Sequence, residues 1–225
     1  MHKAGQLGRS ILPAVACILS GLAVSFVFWP YRTGFLAYIV LIPFVIFSGL
    51  REGRKGCLLH SYLFGFAYFM GTLYWIAMLD KEQMTMPWLR LPAATVLCLY
   101  LALFMLLMGF VTRRLVLARV PYELALALAW GGVEYLRSLG PLGFPWGSLG
   151  YSQTPYPVVT QQAALIGTYG ISVWLVLLNA LLARLVRPKR LVVLALAAGL
   201  FAVPVAGGKL VLGAARSGDT VHLAL

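Results

Sequence analysis

Apolar residues in this chain come in long continuous runs, separated by short clusters of Arg, Lys, Pro and Gly. Alternation with a period of two would point to a β-barrel. Continuous runs of about 20 residues point to helices long enough to cross roughly 30 Å of hydrocarbon. Seven such runs are predicted spans: Ile11–Trp29, Gly34–Leu50, Cys57–Leu79, Pro92–Val111, Tyr122–Leu139, Val158–Ala183 and Leu191–Gly208. Pro43 lies inside the second, which is short, and either kinks it or splits it into two elements. The expected fold is therefore all-α, a polytopic membrane bundle of about seven transmembrane helices. Lys3 and Arg9 ahead of the first run imitate a secretory signal, but the run is long and no convincing small-x-small cleavage pattern precedes Trp29. It reads as a retained anchor.

Composition supports a membrane: 61% of the 225 residues are hydrophobic, 11% are charged, and the mean hydropathy is +0.89. Charge then sets an expected orientation. Alternate assignment of the loops places Lys3, Arg9, Arg51, Arg54, Lys55, Arg113, Arg114, Arg119, Arg184, Arg187, Lys189 and Arg190 on one side, 12 of the 18 Lys and Arg. The other six, Arg32, Lys81, Arg90, Arg137, Lys209 and Arg216, fall opposite. The positive-inside rule then predicts a cytoplasmic N-terminus and a periplasmic C-terminus. The net charge of +12 is thus mainly a topology signal. Its short juxtamembrane clusters form no basic stripe with interleaved aromatics, so nucleic acid is not an expected partner. Anionic lipid of the inner leaflet is the more natural secondary one.

Cys17, Cys57 and Cys98 are far apart and suggest neither a disulfide framework nor a zinc site. They read as small apolar side chains. His60, near the inner end of the third run, is expected to pack at the interface or bond a carbonyl. With His2 and His222 equally scattered, no catalytic cluster, phosphate loop or cofactor motif is in view, and no cofactor or metal is expected.

The informative stretch is Glu134-Tyr-Leu-Arg137 followed by Gly143-Phe-Pro-Trp-Gly-Ser-Leu-Gly-Tyr-Ser-Gln153. Ionisable residues inside an apolar run are costly unless paired or turned to a protein interior. Glu123 beside Pro121 suits a helix start and the positive end of its dipole. Glu134 lies about 20 Å further along the helix, with Arg137 three residues on along one face. The two either form an ion pair within the bundle or shape the floor of an outward-facing cavity. The loop from Ser138 to Pro157 has no charge but holds Phe144, Trp146, Tyr151 and Tyr156 among four prolines. It is expected to re-enter the outer leaflet or lie on it. Gln153, Gln161 and Gln162 would then bond a lipid headgroup or exposed carbonyls. Tyr74 and Trp75 close the third run on the same side, before Asp80, Lys81 and Glu82. Ala67 and Gly71, one turn apart, suit close helix packing.

Taken in order, the Trp29-Pro30 loop, Gly65-Phe66, Gly71-x-x-Tyr74-Trp75, Glu134-x-x-Arg137, Gly143-Phe-Pro-Trp146, Gly150-Tyr-Ser-Gln153 and Gly167-x-Tyr-Gly170 resemble the membrane domain of bacterial apolipoprotein N-acyltransferases. The resemblance covers nearly the whole chain. It implies a multi-pass protein of the bacterial inner membrane and an activity transferring an acyl chain from a phospholipid to the N-terminal cysteine of a diacylated lipoprotein. The family does this through a thioester on a periplasmic nitrilase-like domain with a Glu-Lys-Cys triad. Thr220–Leu225 resembles the first strand of that domain, and no Glu, Lys or Cys here matches the triad. The expected division is thus a transmembrane domain over 1–219 and the start of a truncated nitrilase-like domain over 220–225. The sequence-based expectation is a membrane domain that anchors the catalytic domain, encloses a lipid-accessible cavity and is inactive alone, a separate nitrilase-like domain being a candidate partner. Trp75, Glu134, Arg137, Phe144, Trp146, Tyr151 and Gln153 are the candidate lining residues, and no catalytic residue is assigned. The alternatives are a small membrane transport or binding protein using the Glu134/Arg137 pair, and a nonfunctional truncated remnant.

Overall fold

A computed structural model describes residues 2–28, 33–54, 56–78, 86–186 and 190–214. The expectations for Trp29-Pro30, Arg32, Lys55, Asp80-Lys81-Glu82, Arg187, Lys189, Arg216 and the strand at Thr220–Leu225 fall outside these residues. Every regular element described is helical. The helices are α1 (His2–Ser25), α2 (Ile42–Phe47), α3 (Cys57–Thr72), α4 (Arg90–Leu117), α5 (Tyr122–Arg137), α6 (Pro157–Thr160), α7 (Ala163–Ala183) and α8 (Arg190–Ala214). Short 3-10 turns cover Gly34–Tyr38, Tyr74–Met78, Pro87–Leu89, Leu149–Gln153 and Arg184–Val186.

Among the described residues, three segments are long and apolar enough to cross a membrane: Arg90–Leu117, Ala163–Ala183 and Leu191–Gly213. Their exteriors carry side chains such as Leu103, Leu165, Leu191 and Val203, all more than half exposed. In water so much apolar surface would drive association, whereas against lipid tails it carries no penalty. Helices pack in the order α1 on α3, α3 on α4, α4 on α5, α5 on α7 and α7 on α8. Aromatic rings fill the centre: Phe44 lies 4.2 Å from Phe64, which in turn lies 5.8 Å from the fully buried Trp130.

Small residues set the tightest approach, as the sequence suggested. A side chain on Gly21 would meet the backbone of α3 at Phe64 and, at 3.0 Å, Ala67 Cβ; one on Gly71 would meet Ser25 Cβ at 2.8 Å. Both glycines thus let α1 and α3 close on each other.

The structure corrects several predicted spans. The run Gly34–Leu50 is no continuous helix: a 3-10 turn and the six-residue α2 replace it, with Pro43 in the first turn of α2. Of the two outcomes foreseen for Pro43, the split is the one observed. The run Val158–Ala183 is likewise broken into α6 and α7, and α7 is interrupted again at Gly167 (φ 66, ψ 178), a conformation that favours glycine. The third span ends as a helix at Thr72, while α4 runs on past Val111 to Leu117.

Broken segments expose backbone groups, and buried polar side chains meet them. Asn179 on α7 accepts from Leu41 N–H at 3.0 Å and donates to Ala37 O at 2.7 Å. Ser20 on α1 donates to Val40 O at 3.0 Å, and Gln153 Nε2 donates to Gly34 O at 2.9 Å. Without these partners the segment would bury unpaired amides and carbonyls, each costing about 1–3 kcal/mol.

Two glycines should respond oppositely to substitution. Gly21→Leu is expected to lower stability by about 1–3 kcal/mol through overpacking. Gly132→Ala, at an exposed site with nothing within 4 Å of the new methyl, should be neutral or raise stability by up to ~1 kcal/mol through helix propensity. Thermal melts of the detergent-solubilised protein followed by circular dichroism check both, and equal responses would refute the packing argument.

Candidate functional site

The C-terminal half of α5 projects Trp130, Glu134 and Arg137 from one face into the interior. Glu134 is fully buried and Arg137 is 1% exposed. The two are not bonded to each other: among the described residues the ion pairs are Arg51–Glu123, Arg54–Glu52 and Arg184–Glu123. Of the two readings open for Glu134 and Arg137, the ion pair is therefore absent, because each side chain is committed to the loop that follows α5. Arg137 Nη1 donates to the carbonyls of Phe144 and Trp146, both at 2.7 Å, and Nη2 donates to Ser148 Oγ at 3.2 Å. The guanidinium also lies 5.0 Å from the centre of the Phe69 ring. Glu134 Oε1 accepts from Trp130 Nε1 at 2.9 Å and from Leu149 N–H at 2.8 Å.

The loop closes on itself and on neighbouring helices as well. Phe144 N–H donates to Arg137 O at 2.7 Å, and Ser148 Oγ donates to Pro145 O at 2.8 Å. Tyr68 on α3 donates its hydroxyl to Gly147 O, where φ is 74° and a left-handed residue is needed. Gly150 N–H donates to Ser172 Oγ on α7 at 2.8 Å, and a side chain on Gly150 would strike the Thr168 carbonyl. Gln153, fully buried, accepts from Tyr38 Oη at 2.8 Å through Oε1 while its amide holds Gly34 O. Of the two partners expected for Gln153, exposed carbonyl or lipid headgroup, the carbonyl holds it here.

This scaffold sorts the seven candidates. Trp75, Trp146 and Tyr151 share one cavity of about 540 Å³, whose other walls include Val27, Phe28, Thr72 and Pro155. The rings of Trp75 and Trp146 lie 5.1 Å apart, and Phe144 stands 5.8 Å from Trp146. Phe144 itself faces a second, apolar groove of about 680 Å³ with Leu142 and, on α4, Val96 and Tyr100. Glu134, Arg137 and Gln153 line neither space; they sit behind the wall and hold its backbone. From sequence Tyr68 reads, like Tyr74 and Trp75, as belt or core, and Ser148 and Ser172 carry no local signal, yet the hydroxyls of Tyr68, Ser148 and Ser172 brace the same loop. Sequence reasoning also gave Glu123 no role beyond the helix start, yet Arg51 and Arg184 both reach it. His60 and the cysteines behave as expected: His60 Nδ1 lies 3.1 Å from Ser48 O, and all three thiols are buried and unbridged.

Loosening either buried ion should free the loop. Arg137→Lys keeps the charge but loses the planar fork that reaches three acceptors, and Glu134→Leu leaves Leu149 N–H without an acceptor. Charge-assisted bonds contribute about 1.5–3 kcal/mol each, so amide exchange over 144–150 should quicken roughly tenfold to a hundredfold in both variants. Hydrogen–deuterium exchange read by mass spectrometry checks this, and unchanged protection in either variant would overturn its assigned role.

The sequence profile described as the apolipoprotein N-acyltransferase N-terminal domain matches residues 20–181. The apolipoprotein N-acyltransferase of Geobacter metallireducens is 32% identical over 171 residues, 76% of this chain and 33% of its own length. That of Rhodopseudomonas palustris is 34% identical over 73% of this chain and 31% of its own length. The one from Nitrosomonas europaea is 33% identical over 75% of this chain and 34% of its own length. The chain thus spans about a third of the length of these relatives. Its matched segment contains the whole braced loop, both buried ions and the paired tryptophans, and the chain belongs to the apolipoprotein N-acyltransferase N-terminal domain family.

Proposed function

We propose that this chain is the membrane part of an N-acyltransferase that moves an acyl chain from a phospholipid to a diacylated lipoprotein in the bacterial inner membrane. It anchors a nitrilase-like catalytic domain on the periplasmic side and presents that domain with lipid. The observation that carries this reading is the cavity of about 540 Å³ walled by Trp75, Trp146 and Tyr151, at the end of the bundle where α1, α3 and α5 finish. Amphipathic Trp and Tyr rings suit headgroup depth, and a concave, mostly apolar space with few polar groups suits a lipid ligand. Trp75, Trp146 and Tyr151 are the residues proposed to touch substrate, with Phe144 at the groove beside them. Glu134, Arg137 and Gln153 are positioning residues. The thioester chemistry belongs to the Glu-Lys-Cys domain that the family carries, so residues 1–225 by themselves transfer no acyl group.

Complementation tests this directly. In cells depleted of the acyltransferase, residues 1–225 are supplied alone or together with a nitrilase-like domain as a second polypeptide, and lipoproteins are assayed by mass spectrometry for the third acyl chain. Triacylation is expected only with both pieces. Activity from 1–225 alone, or none with both proteins present, would overturn the proposal.

In the two-piece system Trp146→Ala should lower triacylation roughly tenfold or more, the scale set by burying a large apolar side chain against a ligand. Trp146→Phe should restore most of it. Equal activity for Trp146→Ala and the parent would remove Trp146 from the lipid contact.

A further inference from the structure

At the opposite end of the bundle, where α3 and α5 begin and α4 and α7 finish, the described residues include six arginines and two carboxylates. The arginines are Arg51, Arg54, Arg113, Arg114, Arg119 and Arg184; the acids are Glu52 and Glu123. A pocket of about 300 Å³ opens here, with Arg51, Glu52, Arg54 and Tyr122 on one side and apolar residues including Phe47 and Ala183 on the other.

The turn that carries its cations is firmly built. Leu50 and Ser48 are fully buried, Arg54 N–H donates to Gly49 O at 3.0 Å, and Gly49 has φ 73° with the Arg54 side chain packed against it. Arg51 is bonded to Glu123, which is 5% exposed, and Arg51 Cζ lies 5.0 Å from the Tyr122 ring centre. Arg184 reaches the other oxygen of Glu123 at 3.6 Å. Arg54 Nε lies 3.8 Å from Glu52, yet two-thirds of the Arg54 side chain is exposed. Among the described residues, Arg51, Arg54 and Arg184 thus meet two carboxylates while Arg113 approaches Gly53 from α4, which leaves the pocket mouth net positive.

We infer that this pocket holds the headgroup of an anionic phospholipid. A net positive mouth suits the negative charge of a phosphodiester. The apolar side of the pocket, Val45, Ile46 and Phe47 with Ala180 and Ala183, accommodates the first carbons below the phosphate, which a free inorganic anion would leave unfilled. Arginine suits the role because its fork pairs with two phosphate oxygens at once. The site is separate from the Trp75–Trp146 cavity and does not depend on the activity proposed for it.

The test uses residues 1–225 in a neutral detergent, titrated with short-chain phosphatidylglycerol, short-chain phosphatidylcholine and inorganic phosphate, with bound lipid counted by native mass spectrometry. Phosphatidylglycerol is expected to bind in preference to phosphatidylcholine. Arg54→Ala should weaken it about fivefold, the effect of one basic residue near an anionic lipid surface. Arg114→Gln removes an equal charge outside the pocket, where Arg114 lies over Phe110, and should change binding less than twofold. Equal binding of both lipids would overturn the site, as would equal losses from Arg54→Ala and Arg114→Gln. Inorganic phosphate competing as strongly as phosphatidylglycerol would overturn the lipid assignment. Because Arg54 is exposed and not part of the Glu123 cluster, circular dichroism should show its variant folded like the parent.

Discussion

The site end of this protein depends on one guanidinium. Arg137 leaves the last turn of α5 fully buried and donates to two carbonyls and a hydroxyl of the loop it precedes. A cation in such a place is tolerable only when its donors find oxygens, since desolvation alone costs several kcal/mol. The loop supplies them by curling back so that residues 144, 146 and 148 face Arg137. That curl then fixes where Trp146 stands, and Trp146 sets one wall of the cavity shared with Trp75 and Tyr151. The burial of Arg137 and the shape of the cavity are thus one constraint seen from two sides.

A second segment obeys the same rule with uncharged groups. Residues 34–47 run as a turn and a short helix through the middle of the bundle, where a broken backbone leaves amides and carbonyls unpaired. Asn179, Ser20 and Gln153 meet them from three different elements. Gln153 connects the two irregular regions, because it belongs to the loop after α5 and yet bonds both Gly34 O and Tyr38 Oη. Displacement of the loop would therefore be felt at residues 34–38.

Much of this was legible in the sequence because it rests on continuous apolar runs and on charge where charge is costly. The runs gave the all-helical fold, and the isolated Glu134 and Arg137 marked the region that organises the site. The small residues Ala67 and Gly71 behave as their spacing suggested, both lying against α1. What the sequence concealed was partnership. Three residues of separation on a helix brought Glu134 and Arg137 to one face and so suggested an ion pair, but nothing local says that loop backbone competes for both. Hydropathy also reads Gly34–Leu50 as one span and starts the sixth at Val158, ahead of the helix Ala163–Ala183, since it registers apolarity and not whether backbone groups are paired within the segment. Asn179 and Ser172 went unremarked, and Tyr68 and Ser148 were given no bonding role, because a lone hydroxyl or amide has meaning only through a partner that is distant in sequence or set by the fold of a loop.

The two acids of α5 show how position along the helix selects chemistry. Glu123, in the first turn, is itself buried but shares Arg51 and Arg184, so its charge is balanced by cations that are partly hydrated. Glu134, three turns later, is fully buried and takes its hydrogen bonds from an indole and a backbone amide. A direct pair with Arg137 would satisfy both charges but leave the carbonyls of Phe144 and Trp146 and the amide of Leu149 without these partners. Splitting the pair turns two buried ions into five hydrogen bonds, four of which fix the loop, with Arg137 close enough to Glu134 to offset its charge through space. The arrangement ties the loop to α5 by an acceptor on one side and donors on the other. Either ion lost alone would leave the opposite charge buried without its counterpart, which binds the integrity of the cavity wall to the presence of both.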